Sequence, residues 1–220
     1  MKHIEKNLEK VRRRIKIAAE IVNRNPDSIK LVAVTKGFDS SVVREAMRLE
    51  IKRIGESRVQ EAKKKIEELG QLSRRVEWHM IGHLQSNKAK DAVKIFDFIH
   101  SVDRLKIAKK LSEKCLELNK IMPVLIQVNL SGKTYGVKPE ELKNFYEEVK
   151  EFKGIRVEGL MTIAPLIEPE KTRPYFKKLK ELAEELKLKH LSMGMSNDFE
   201  VAIQEGATMV RIGTAIFGKR

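Results

Sequence analysis

Short apolar runs alternate with longer charged, amphipathic stretches along nearly the whole chain. The apolar runs are LVAVTK (31–36), IKRIGE (51–56), VEWHMIG (76–82), FDFIHSV (96–102), MPVLIQVNL (122–130), IRVEGLMTI (155–163), KHLSMG (189–194) and TMVRIG (208–213). Between them, 39–50, 57–70, 85–94, 103–119, 138–152, 169–187 and 197–206 carry helical patterns. Parallel strands need a crossover between each pair, and a helix in every crossover produces this alternation. Eight such strands predict an α/β fold, a closed (β/α)8 barrel of the TIM type. An open doubly wound sheet is the alternative that periodicity leaves standing. Segment 3–24 predicts one extra helix, with Ile4, Leu8, Val11, Ile15, Ala18 and Val22 on a single face. It is expected beside the last strand, where an eighth helix would complete the ring. No linker, repeat or composition break interrupts the pattern, so one domain over 1–220 is expected.

Composition narrows the function classes. Hydrophobic residues make up 41% of the chain, enough for a sizeable core and too many for wholesale disorder. The charge is the feature that points outward: 45 basic against 31 acidic residues leave +14. Such a balance permits nucleic-acid binding. Yet EKNLEKVRRR, EAKKKIEELG and KKLKELAEELKLKH interleave the two signs, as solvated helix faces with i,i+4 pairs do. Nothing resembles a base-reading element. No run approaches the ~20 apolar residues that span a bilayer, and the charged N-terminus lacks the apolar stretch of a signal peptide. Neither nucleic acid nor membrane is therefore an expected partner. The single cysteine, Cys115, shares helical spacing with Leu105, Ala108, Leu111 and Leu118 and reads as a small core residue. A reducing, cytoplasmic setting fits.

In a parallel barrel the reactive residues sit where strands end and βα loops begin. Alternation in LVAVTK puts Val32, Val34 and Lys36 on the barrel interior, with Leu31, Ala33 and Thr35 toward the helices. A lysine partly desolvated at the mouth favours the neutral amine, which can form a Schiff base with an aldehyde. A lysine whose ammonium simply reaches solvent is the other reading, and alternation does not separate the two. The tail HLSMGMSNDFE runs from a strand through Gly194 into a helix, with Asn197 and Glu200 at capping-box spacing. The exit MVRIGTAIFG adds Gly213 and Thr214. With Ser196, these two loops form a place where backbone N–H groups could hold a phosphate. Arg211 alternates inward and requires a buried partner, either a carboxylate or a cofactor ring nitrogen. Lysine, phosphate cradle and arginine together are one known way of holding pyridoxal phosphate. His79 and His83 lie four apart, but across a strand end and a loop around Gly82, so their rings need not converge on a metal.

At these residues the sequence resembles the pyridoxal-phosphate homeostasis protein family. VAVTK, WHMIGHLQSNK, IQVNLSG, GLMTI and LSMGMSNDFEVAIQEGATMVRIGTAIFG carry the resemblance, which covers nearly the whole chain. It implies a barrel like the N-terminal domain of alanine racemase, with pyridoxal 5′-phosphate (PLP) as a Schiff base on Lys36. It further implies phosphate contacts from Ser196, Gly213 and Thr214, Arg211 facing the pyridine nitrogen, and Met193 and Ile81 packed near the ring. The implied role is reversible holding of PLP for buffering or delivery to PLP-dependent apo-enzymes, by a monomer without dedicated turnover. A racemase-like PLP enzyme is the alternative. Racemases of this barrel place a tyrosine base from a further domain opposite the lysine, and Tyr135, Tyr146 and Tyr175 do not lie in such a domain. The chain departs from the family's habits at Gly55-Glu56-Ser57, at Gly37-Phe38 after the lysine, and in a short loop around Lys133.

Overall fold

The computed structural model describes residues 2–132 and 135–219; Lys133 lies outside them. All eight predicted strands form: β1 Lys30–Val34, β2 Arg53–Glu56, β3 Glu77–Met80, β4 Phe98–Val102, β5 Met122–Gln127, β6 Ile155–Met161, β7 His190–Ser192 and β8 Met209–Ile212. They close in chain order into a barrel, and every neighbouring pair is parallel. The closing pair sets Val32 of β1 opposite Arg211 of β8. The open-sheet alternative is thereby excluded.

Nine α-helices surround the barrel among the described residues: α1 Lys2–Glu20, α2 Ser40–Arg48, α3 Val59–Leu69, α4 Ala89–Ile95, α5 Leu105–Leu116, α6 Leu142–Val149, α7 Arg173–Glu185, α8 Phe199–Gln204 and α9 Thr214–Phe217. Strand alternation divides the apolar residues into two bodies. Ile99, Val124, Ile126, Leu160, Val210 and Ile212 face outward and join the large core beneath the helices. Phe98, Leu125, Met161 and Met209 face inward and pack as a separate cluster inside the barrel. Cys115 is fully buried in the outer core, where burial pushes its thiol up.

Helix α1 takes the expected place against the end of the chain. Ile4, Leu8, Val11, Ile15 and Ala18 are buried, and the helix packs on α8 and α9. Arg14 forms a two-pronged pair with Glu200 at 2.7 and 2.9 Å, and Arg24 donates to the Ile203 and Ala207 carbonyls at 2.6 and 2.8 Å. The helix is shorter than the predicted 3–24. Asn23 adopts φ 54°, and the Arg24 N–H turns back to the Ala19 carbonyl at 2.9 Å. Asparagine tolerates this left-handed terminator, so Val22 lies past the helix end.

Candidate functional site

The barrel mouth is built first by the end of β1. Thr35 still donates its N–H to the Gly55 carbonyl at 3.1 Å, after which the chain leaves the sheet. Phe38 N–H then returns to the Thr35 carbonyl at 3.1 Å, and Gly37 sits at φ 79°. Lys36 therefore occupies a turn and not the strand into which the periodicity placed it. Its side chain is exposed, so the partial desolvation expected at the mouth is not observed. The lysine stands on the rim of a cavity of about 290 Å³, which it lines together with Ile81, Ser196, Arg211, Gly213 and Thr214. Six of the seven candidate residues thus converge. The seventh, Met193, is fully buried in the core; Met195 lines the cavity instead.

The far wall comes from the exits of β7 and β8. Gly194 has φ 90°, a conformation L side chains rarely adopt, and a Cβ there would lie 2.6 Å from the Ala202 methyl. The turn returns the chain so that Met195 N–H donates to Asp198 Oδ1 at 2.7 Å. Helix α8 accordingly begins at Phe199 with Asp198 at its N-cap, correcting the predicted Asn197–Glu200 capping box. Asn197 instead donates to the Ile167 carbonyl at 3.1 Å, and Glu200 is taken by Arg14. Ser196 Oγ accepts the Ala215 N–H at 3.2 Å, tying the first loop to the start of α9. Gly213 approaches β1 so closely that a Cβ would stand 3.1 Å from the Val34 carbonyl oxygen.

Arg211 forms the floor. It is 4% exposed, and its Nη1 donates to Ser192 Oγ at 2.6 Å while Nη2 donates to the Thr162 carbonyl at 2.8 Å. Neither contact is with an acid; Asp198 acts on it only through space. Burial pushes the guanidinium down to about 10. The hydrogen bonds continue inward, with Ser192 Oγ 2.8 Å from His100 Nδ1 and His100 Nε2 2.8 Å from His79 Nδ1. His79 Nε2 reaches Glu77 Oε2 at 3.4 Å, and Glu77 pairs with Arg53 at 3.0 Å. Burial holds both histidines below their ordinary values, His100 well below. A neutral ring with its proton on Nε2 satisfies every link, since Ser192 can donate to His100, His100 to His79 and His79 to the carboxylate. His83 lies elsewhere, stacked on Tyr135 with ring centroids 3.9 Å apart.

A second polar cluster lies behind the rim, and the sequence reading missed it. Lys65 of α3 is 3% exposed and donates to the Thr35 carbonyl at 2.8 Å, Glu56 Oε1 at 2.6 Å and Glu61 Oε1 at 2.9 Å. Thr35 Oγ1 also donates to Glu56 Oε1, at 2.5 Å, and Gly37 N–H donates to Glu61 Oε1. Desolvation pushes the fully buried Glu56 carboxyl up. Lys65 lies in EAKKKIEELG, which reads as a solvated charged face. The available signal was spacing, because Val59, Ala62, Lys65 and Leu69 share one side of the helix, and all four are buried.

The family described as alanine racemase, N-terminal domain, matches residues 6–220. A pyridoxal phosphate homeostasis protein of Aquifex aeolicus is 46% identical over 97% of this chain and 96% of its own length. Another, from Pseudomonas aeruginosa, is 44% identical over 100% of this chain and 97% of its own. The solved structure of PipY from Synechococcus elongatus, with PLP bound, superimposes with a TM-score of 0.88 at 36% identity, covering 98% of this chain and 100% of that one. Alanine racemase of Clostridium difficile, at 18% identity and a TM-score of 0.74, shares the fold over 100% of this chain and 57% of its own.

Proposed function

The chain belongs to the alanine racemase N-terminal domain family and, within it, to the pyridoxal phosphate homeostasis proteins, and from that membership we propose that it holds PLP reversibly as a Schiff base on Lys36. The same reading makes it a buffer or donor of PLP for apo-enzymes, working as a monomer in the cytoplasm through one barrel domain and without dedicated turnover. One observation carries the binding site. A buried guanidinium, with no carboxylate in contact among the described residues, floors a cavity whose rim bears a primary amine.

PLP supplies an aldehyde for the amine to capture and a ring that draws electrons. The residues present suit it. Lys36 reaches the cavity from a turn and makes no side-chain hydrogen bond or ion pair among the described residues, so its amine is available for capture. Ser196 Oγ, which accepts the Ala215 N–H, stands with the Gly213 backbone and Thr214 at the start of α9, and these polar groups on the cavity wall suit a phosphate. Arg211, held by Ser192 and the Thr162 carbonyl, presents positive charge toward a ring nitrogen and disfavours its protonation. Ile81 supplies an apolar wall; Met193 backs the β7 exit from the core side. Neither Tyr146 nor Tyr175 reaches the cavity; both pack on the outer core, and Tyr135 stacks on His83. Among the described residues, no tyrosine lines the cavity itself; Tyr135 lines a neighbouring hollow with Ile163.

Reduction of the PLP-saturated protein with borohydride, followed by peptide mass analysis, tests the reading. The cofactor mass is expected on Lys36 and absent in Lys36→Ala. A protein that stays colourless at saturating PLP overturns the account. Rapid solvent-deuterium incorporation at an amino-acid α-carbon, lost in Lys36→Ala, would replace the homeostasis role with that of an enzyme.

A further inference from the structure

Both residues flanking Lys36 are tied to one buried ammonium. Thr35 gives its carbonyl directly to Lys65 Nζ, and Gly37 gives its N–H to Glu61, whose same Oε1 accepts from Lys65 at 2.9 Å. Thr35 is also fixed through its hydroxyl to Glu56 Oε1, the third acceptor of the ammonium. An ammonium has three N–H donors, and each has an acceptor here.

Such a cluster is an expensive way to fill space. The Lys65 position lies on the buried side of α3, where an apolar side chain would avoid taking an ion from water. Glu56 Oε2 is buried with no hydrogen-bond partner among the described residues, a further cost. Buried ion pairs are weak evidence for stability and better evidence for geometry, when the geometry they fix is identifiable. Here it is the backbone on either side of an exposed lysine. Packing does not orient Lys36, whose flexible stem stands in a turn outside the sheet. Fixing its Cα is the remaining way to aim the amine into the cavity, and pre-orientation is what a capture reaction gains most from.

We propose that Lys65 is a positioning residue for Lys36, clamping the 35–37 turn through the Thr35 carbonyl and Glu61 so that the amine projects into the cavity. The proposal rests on PLP capture by Lys36. Lys65 does not touch the cofactor and contributes no reacting atom.

Two variants separate positioning from folding. Glu61→Gln leaves the Lys65–Glu56 pair in place and removes the charged acceptor of Gly37 N–H. Glu56→Gln combined with Lys65→Met removes the buried pair together, avoiding the stranded carboxylate that would make Lys65→Met alone unfold. Each is titrated with PLP by absorbance, trapped with borohydride, melted without PLP, and probed for hydrogen exchange at Gly37 N–H without PLP. Faster Gly37 exchange, a melting temperature close to wild type and PLP binding weakened by about tenfold are expected for both, the scale of one charge-assisted hydrogen bond. Faster exchange with PLP affinity within about twofold of wild type overturns the proposal, since the turn would then be clamped to no purpose. Unchanged Gly37 exchange overturns it as well. Wild-type protein that gives no adduct on Lys36 removes the premise, and that result is distinct because it appears before any variant is made.

Discussion

Arg211 Nη1 donates to Ser192 Oγ at 2.6 Å, and the same hydroxyl lies 2.8 Å from His100 Nδ1. One serine thus joins the floor of the cavity to the interior of the barrel. Burial brings the guanidinium down to about 10, with the Asp198 charge opposing the shift. Two neutral acceptors, Ser192 Oγ and the Thr162 carbonyl, take its hydrogen bonds. Ser192→Ala removes one of them and strands a charged donor, so stability is expected to fall by about 1–3 kcal/mol in denaturant unfolding. PLP affinity should fall with it, because Arg211 loses one of its two fixed contacts.

Lys36 is the contrasting case. It is exposed and makes no side-chain hydrogen bond or ion pair among the described residues. Lys36→Ala should therefore change unfolding free energy by no more than ~0.5 kcal/mol while abolishing the borohydride-stable adduct. Circular dichroism melts beside the trapping assay would show the two properties coming apart.

The interior histidines predict an acid response. His79 and His100 are held below their ordinary values by burial, so the folded protein resists protons that the unfolded chain accepts. Their contribution is intact above the unfolded value, near pH 6.5, and is lost as the pH falls below it, by up to ~1.4 kcal/mol per pH unit for each ring. Glu56 has the opposite sign: its raised carboxyl adds stability below its unfolded value, and that gain is lost as the pH rises through the folded one. Unfolding free energies of wild type and His100→Gln at pH 7.5 and pH 5.5 isolate the ring. The variant should lose less between the two.

Gly82 separates two rim loops by almost no space. A Cβ there would lie 2.3 Å from the Ser57 carbonyl oxygen, which is backbone and cannot swing aside. Gly82→Ala is expected to cost about 2–3 kcal/mol, as overpacking does, and to lower the melting temperature by roughly 5–10 °C. A calorimetric melt of the cofactor-free protein checks it.

The architecture was legible because strand and helix periods differ and alternate eight times. Alternation also placed Val32, Val34 and Arg211 inside: a Cβ at Gly55 would touch both valines, and Arg211 is buried beside Ser192. It failed at Lys36 because hydrophobic pattern does not record where a ladder ends; β1 stops at Val34. It failed at Asn197 because its side chain found another partner: Asn197 donates to the Ile167 carbonyl, while Asp198 takes the N-cap position and accepts the Met195 N–H. The His79–His100 contact joins side chains 21 residues apart, and the Ser192–His100 contact joins side chains 92 apart. Local periodicity records no contact made across the barrel. Lys65 was hidden by its neighbours, since in KKK only position on the helix distinguishes the buried lysine from the two exposed ones.

The pairing of β1 with β8 has a consequence for the making of the protein. Lys36 emerges from the ribosome more than 150 residues before Ser196, Arg211, Gly213 and Thr214. Over that stretch of synthesis the amine has neither Arg211 nor the Ser196 and Gly213-Thr214 loops beside it. If PLP binds at the proposed site, strand closure doubles as a checkpoint: the site is complete only when the last strand docks on the first, and the ligand would stabilise only chains that have completed that step.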